Sequence, residues 1–243
     1  MSGDLFPVAG ARIYIGGVIQ TQSTDFAASD FSGETWTEID GWETMGAIGD
    51  AAQEIKNSLI NRKRDIKMKG TFDAGSMQNN FAILPTDAGQ LALIAARATS
   101  HNYAFKIVYD DTPATRTATA TVTIASPGVV TWTAHGLLVG DAVSFSTTGA
   151  LPTGLTAATT YYVKSVLTAD TFTLSATSGG SVINTTGTQS GVHTISTVPA
   201  ATTHYFIALV MTTSETGGGA NTTRMLSSTL AINGNIVNVP AIQ

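Results

Sequence analysis

Four histidines, a glycine triplet and a pair of adjacent carboxylates are the residues of this chain whose types and spacing could do chemistry. His101, His135, His193 and His204 share no metal-ligand spacing, and each suits hydrogen bonding at a strand end better than a metal centre. Gly217-Gly218-Gly219 has the glycine density of a phosphate loop, but no Lys-Ser/Thr follows and the flanks are polar, which favours a flexible hairpin turn. Asp110 and Asp111 are neighbours on a strand end, so they point to opposite faces and do not converge as acid and base. No Gly-x-Ser-x-Gly elbow occurs, and the absence of cysteine removes disulfides, thiolate catalysis and sulfur-ligated metal. The expectation is a non-enzyme, with no catalytic residue, no cofactor and no metal.

Charge patterning says more. From Asp25 to Glu54 there are eight acids and no base; from Lys56 to Lys69 there are six bases and one acid, Asp65. Adjacent blocks of opposite sign suit head-to-tail pairing between copies, which closes into rings or propagates as filaments. The alternative is that the blocks neutralise each other on neighbouring strands of one subunit. The candidate contacts between subunits are Glu34, Glu38, Arg62, Lys63 and Arg64. Between the blocks, Gly41 to Asn61 lacks a clean strand pattern until its end, and a connection of that length is usually functional or disordered. It reads as an extended, self-associating loop with Gly41, Trp42, Met45, Gly46, Ile48, Gly49, Asp50, Glu54, Ile55 and Leu59 as its contact residues. The competing reading is a short helix from Ala51 to Ile60, since Ile55 and Leu59 are four apart.

The elements that must position these residues are mostly strands. Arg12 to Ile19, Thr35 to Ile39, Asp65 to Phe72, Tyr103 to Tyr109, His204 to Thr213, Arg224 to Ile232 and Ile236 to Val239 all read as strands. Asp65 to Phe72 alternates as a half-buried strand does, with Ile66, Met68, Gly70 and Phe72 on one face. His204 to Thr213 is apolar enough to be covered on both faces. One helix is expected: Asp87 and Gln90 form a capping box, and Leu91, Ile94, Ala95 and Ala98 make the apolar stripe.

An interruption splits this pattern. From Thr119 to Pro199 only Asp141, Lys164 and Asp170 are charged, and six short strands alternate with Gly/Pro turns. The expected organisation is a mainly β host, an antiparallel sandwich or barrel with one helix, at 1–117 and 201–243, carrying an inserted all-β domain at 118–200. Loop tips tolerate insertion best, which favours a structural or binding protein over a closed enzyme.

Composition narrows the class further. A net charge of −5 argues against a dedicated nucleic-acid binder. The start, MSGDLFPVAG, has no basic region leading into an apolar run, and Tyr205 to Met211 is too short to span a bilayer. No membrane association is expected, and assembly is expected in the cytoplasm.

In order, Trp36-Thr37-Glu38-Ile39 with Gly41, the glycine-containing loop, Lys67-Met68-Lys69-Gly70, Asp87-Ala88-Gly89-Gln90, Phe105-Lys106-Ile107 and a returning C-terminal sheet make the host similar to major tail tube proteins of long-tailed bacteriophages. The match covers roughly Leu5 to Asp111 and Thr203 to Ala241. The insert resembles an accessory β module of phage virion proteins, through Thr131-Trp132-Thr133-Ala134-His135-Gly136-Leu137, Gly140-Asp141, Leu151-Pro152, Thr160-Tyr161-Tyr162-Val163 and Thr171-Phe172-Thr173-Leu174. In that light His135 is a turn-stabilising residue. The resemblance implies hexameric rings whose sheets join into a barrel, stacked through the long loop, with the insert projecting outward. It implies location in the virion tail, and tape-measure, tail-tip and terminator proteins as partners beside the chain itself. DNA would pass through the lumen without sequence-specific binding. The Arg62 to Lys69 cluster then belongs at subunit or ring contacts and away from DNA. Two rivals remain: a decoration or fibre-type β protein binding a receptor or glycan, and a glycan hydrolase with an accessory domain, for which no carboxylate pair nominates itself.

Overall fold

The most apolar strand of the chain becomes the spine of the host. In the computed structural model, which describes residues 5–242, the chain is mainly β with one α-helix, as expected. The first elements are β1 (Arg12–Val18), β2 (Thr37–Glu38), β3 (Trp42–Thr44), β4 (Ala51–Asn57), β5 (Ile66–Asp73), β6 (Ser76–Ala82), α1 (Ala88–Arg97) and β7 (Tyr103–Val108). Six strands of the insert follow: β8 (Thr117–Val122), β9 (Val129–Thr131), β10 (Ala142–Thr147), β11 (Thr160–Val166), β12 (Thr171–Ser175) and β13 (His193–Thr197). The chain ends in β14 (Thr203–Thr216), β15 (Met225–Ile232) and β16 (Val237–Val239).

Two compact units result: Met1–Asp110 with Thr203–Val239, and Asp111–Thr202 with Pro240–Gln243. The second is wider than the charge-poor stretch because its ends are tied to each other. The Thr202 N–H donates to Asp111 Oδ1 at 2.7 Å, and Ala200 bridges to Ile242.

In the first unit an antiparallel sheet of eight strands curls into a half-barrel, in the order β2-β1-β7-β14-β15-β6-β3 with β16 beside β14. The period-two side chains of β1, β7, β14 and β15 send Ile13, Ile15, Phe105, Ile107, Phe206, Ala208, Leu226 and Leu230 to one face, where they form the core. Phe105 and Phe206 sit opposite each other in register and stack at 5.5 Å, each Phe contributing roughly 1.5–3 kcal/mol through burial. Ala104 and Ile207 are buried on the opposite face under Phe26 and Phe31, so β7 and β14 are covered on both sides.

Helix α1 closes the core. Asp87 caps it by accepting the Gln90 N–H at 2.7 Å. Gln90 does not complete the expected capping box: its side chain is buried and donates to the carbonyls of Asp40 and Ala82 while accepting from the Leu84 N–H. The buried stripe also differs from the expected one. Gly89, Leu93 and Ala96 face the core, whereas Leu91, Ile94, Ala95 and Ala98 face out. The first turn lies so close to β2 that a Cβ on Gly89 would overlap the Glu38 carbonyl, and that approach sets the helix rotation.

Two further expectations are corrected by β4 and β5. Residues 51–57 form a strand, not a helix, because all but Gln53 pair across to β5 in an antiparallel ladder from Ala51↔Asp73 to Asn57↔Ile66, with an irregularity between Ala52 and Glu54. β5 is not half-buried; its alternation is real, but neither face is covered by the described residues.

The second unit is a closed six-stranded barrel in the order β10-β11-β12-β9-β8-β13. Val122, Trp132, Phe145, Val163, Phe172, Leu174 and Ile195 fill it; Thr119 and Thr121 alternate toward water, whereas Thr173, Ser175 and Thr197 are buried. Closure removes exposed sheet edges, which suits a unit with almost no charge to guard them.

Candidate functional site

The β4–β5 hairpin is a separate two-stranded sheet that stands as an arm on the host unit. One of its faces carries Ala52, Ile55, Ile66, Met68 and Phe72, with Ile55 directly opposite Met68 and Ala52 opposite Phe72. Met68 is 54% exposed and Phe72 66%. The other face carries Glu54, Lys56, Lys67 and Lys69. An isolated two-stranded hairpin is marginal in water, and this one leaves the large side chains of its apolar face, Ile55, Ile66, Met68 and Phe72, exposed.

Ion pairs on the charged face bear on the two readings of the charge blocks. Lys67 Nζ lies 2.8 Å from Glu54 Oε2, and Lys56 Nζ lies 2.7 Å from Asp65 Oδ2. The Lys56 hydrogen bond, with a second from Ser58, holds the Asp65 carboxyl below its ordinary range. The blocks thus neutralise each other in part inside the arm. What remains is mainly positive: Lys69 and, at the tip, Arg62, Lys63 and Arg64 make no ion pair among the described residues, and neither does Asp73 at the base of β5. The Arg62 N–H closes the tip on the Leu59 carbonyl at 2.9 Å.

Of the other charge candidates, Glu38 pairs with Arg12 at 3.8 Å, and Glu34 Oε2 accepts the Gly17 N–H at 2.6 Å where β1 bulges. Both carboxylates therefore have partners inside the subunit.

The expected long loop divides into an anchor and an arm. Trp42, Met45 and Ile48 pack against the host core. Asn79 fixes this segment from β6: its Oδ1 accepts from Trp42 Nε1 at 3.1 Å and from the Gly46 N–H at 3.2 Å. Gly46 runs so close to the backbone of Gln78 that any Cβ would overlap it. The Gly41 carbonyl accepts the Ala82 N–H at 2.7 Å. Glu54 and Ile55 lie on the arm, Leu59 lies in its tip, and Asp50 with Asp25, Asp73, Asn233 and Asn235 lines a cleft of about 440 Å³ at its base, beyond Gly49.

Sequence reasoning missed β6 and with it Asn79, although Met77, Asn79 and Phe81 alternate with polar neighbours. It also missed Lys106, whose ammonium sits 4.3 Å from the Tyr14 ring and 4.9 Å from the Trp36 ring, with burial lowering its pKa. In the barrel, His135 is buried; its Nδ1 accepts the Leu137 N–H at 2.9 Å, leaving Nε2–H to donate to the Thr168 carbonyl. That ring joins two turns, as its expected role required.

Among the described residues, no three His, Asp or Glu side chains are grouped to hold a metal ion, and no helix is long and apolar enough to cross a membrane. No protein-family model matches the chain, and no curated protein matches it.

Proposed function

We propose that this chain is a self-assembling structural subunit of a phage tail tube: hexameric rings stack through the β4–β5 arm and enclose a lumen for DNA. The observation that carries this reading is the arm itself, an amphipathic hairpin with an uncovered apolar face and an unpaired cationic tip. Apolar burial between copies supplies the driving force, at roughly 25 cal/mol per Å² removed from water. The tip charges supply orientation more than affinity. The resemblance to tail tube proteins names the assembly, and a net charge of −5 suits a conduit that repels a polyanion instead of binding it.

Reversing the tip with Arg62→Glu, Lys63→Glu and Arg64→Glu tests the reading. The tip is exposed and touches no core residue, so monomer folding should be unchanged while polymer growth, followed by light scattering, falls at least tenfold. Growth at the wild-type rate would remove the tip from the interface.

A further inference from the structure

The tip of the β4–β5 arm carries more than charge. Ile60 is fully exposed there, and Arg62, Lys63 and Arg64 follow it, exposed and without an ion pair among the described residues. Asp65, the acid beside them, is already held by Lys56 and Ser58. The tip therefore presents a bare apolar side chain next to three unneutralised cations.

The cleft at the arm's base has the matching character. Phe72, Ala74 and Ile232 give it apolar walls, and Asp25, Asp50 and Asp73 stand among them. No Lys or Arg lines this cleft or the smaller one beside it that shares Asp25. None of the three carboxylates makes an ion pair among the described residues. Its volume of about 440 Å³ is enough to enclose a ligand the size of a few side chains.

Tip and cleft cannot meet within one copy. The cleft includes Asp73, which pairs with Ala51 at one end of the arm's ladder, and the tip lies beyond Asn57↔Ile66 at the other. The seven residues of β4 hold them about 23 Å apart at the usual strand rise. We infer that the cleft receives the arm tip of a second copy, Ile60 entering against Phe72 and Ile232 while Arg62, Lys63 and Arg64 face Asp25, Asp50 and Asp73. This rests on the assembly reading above and names the surface that receives the arm. A contact between two different patches leaves each copy one of each free, so a displacement of about one arm length repeats and growth continues.

Two charge-reversed chains test the pairing. One carries Arg62→Glu, Lys63→Glu and Arg64→Glu; the other carries Asp25→Lys and Asp50→Lys, with Asp73 kept because it accepts the Gly75 N–H. Alone, each sets like charges against each other, and its growth by light scattering is expected to fall roughly tenfold or more. Mixed in equal amounts, every tip finds a cleft of opposite sign, and growth is expected to return to within about threefold of the native rate. A cleft-reversed chain that grows at the native rate, or a mixture as inert as its parts, would overturn the inference. Native tubes by electron microscopy beside either result would leave the assembly reading standing. A native chain that forms no polymer at any concentration, even on seeding with a tail-tip complex, would overturn both. If the cleft-reversed monomer unfolds at a lower temperature than the native one, a cross-link decides in its place. The chain has no cysteine, so Lys63→Cys with Asn233→Cys, at the cleft, and a short bis-maleimide should give a ladder of covalent oligomers on a denaturing gel. Each single variant should give dimers at most. Normal polymers with no ladder would overturn the inference.

Discussion

Asn79 is the residue on which the account of the arm's anchor depends. It sits in an apolar core, 1% exposed, opposite Ser228, and a buried amide is costly unless its hydrogen bonds are made. Its oxygen serves Trp42 and Gly46 together, while its Nδ2 has no partner among the described residues. Asn79→Leu fills similar space but leaves both N–H groups unpaired, so it should cost about 1–3 kcal/mol in urea unfolding; a loss below about 0.5 kcal/mol would show that the latch contributes little. This residue was not legible in the sequence because Ser-Met-Gln-Asn-Asn-Phe-Ala looks too polar for a strand. Its polarity answers a contact more than thirty residues away in the chain, which no local window contains. Asp87 was legible because a helix cap is a local interaction. Gln90 was legible only as a helix residue, since its partners at Asp40 and Ala82 come from other elements.

At the scale of elements, strands that bury one face were readable from their alternation, β6 excepted, and so were all six strands of the barrel. Alternation marks an amphipathic ribbon but does not say what covers it. For β15 the cover is the core of the same chain; for β5 the described residues supply none. The helix shows the same limit. Its Ala-rich face offered more than one apolar stripe, and a close approach at Gly89 selected between them. A prediction follows from the arm's independence of the core. Met68→Glu or Phe72→Ser should leave the unfolding free energy of the monomer within about 0.5 kcal/mol and abolish self-association in sedimentation velocity. Unfolding midpoints that fall with assembly would place these side chains in the subunit's own core and contradict the arm's role.

For the whole molecule, the two units keep separate cores, and the host sheet is continuous across the point of insertion. Val108 and Thr203, at the two junctions, are direct partners in the β7–β14 ladder, so joining these strands by a short turn restores an ordinary hairpin. A chain lacking residues 111–202 should therefore fold and still self-associate, with the remaining host showing one cooperative transition by calorimetry; an insoluble or monomeric product would make the barrel part of the assembly. The composition shift made the insert visible, but its limits at Asp111 and Thr202 are set by a hydrogen bond and not by charge content. The central claim is that copies of this chain build a tube through the arm. Negative-stain electron microscopy of the purified full chain, across a concentration series and beside Met68→Glu, tests it most directly. The account predicts stacked rings with a central hole for the native chain and isolated particles for the variant. A native chain that stays monomeric at every concentration and on seeding with a tail-tip complex, or a variant that forms the same tubes, would contradict it.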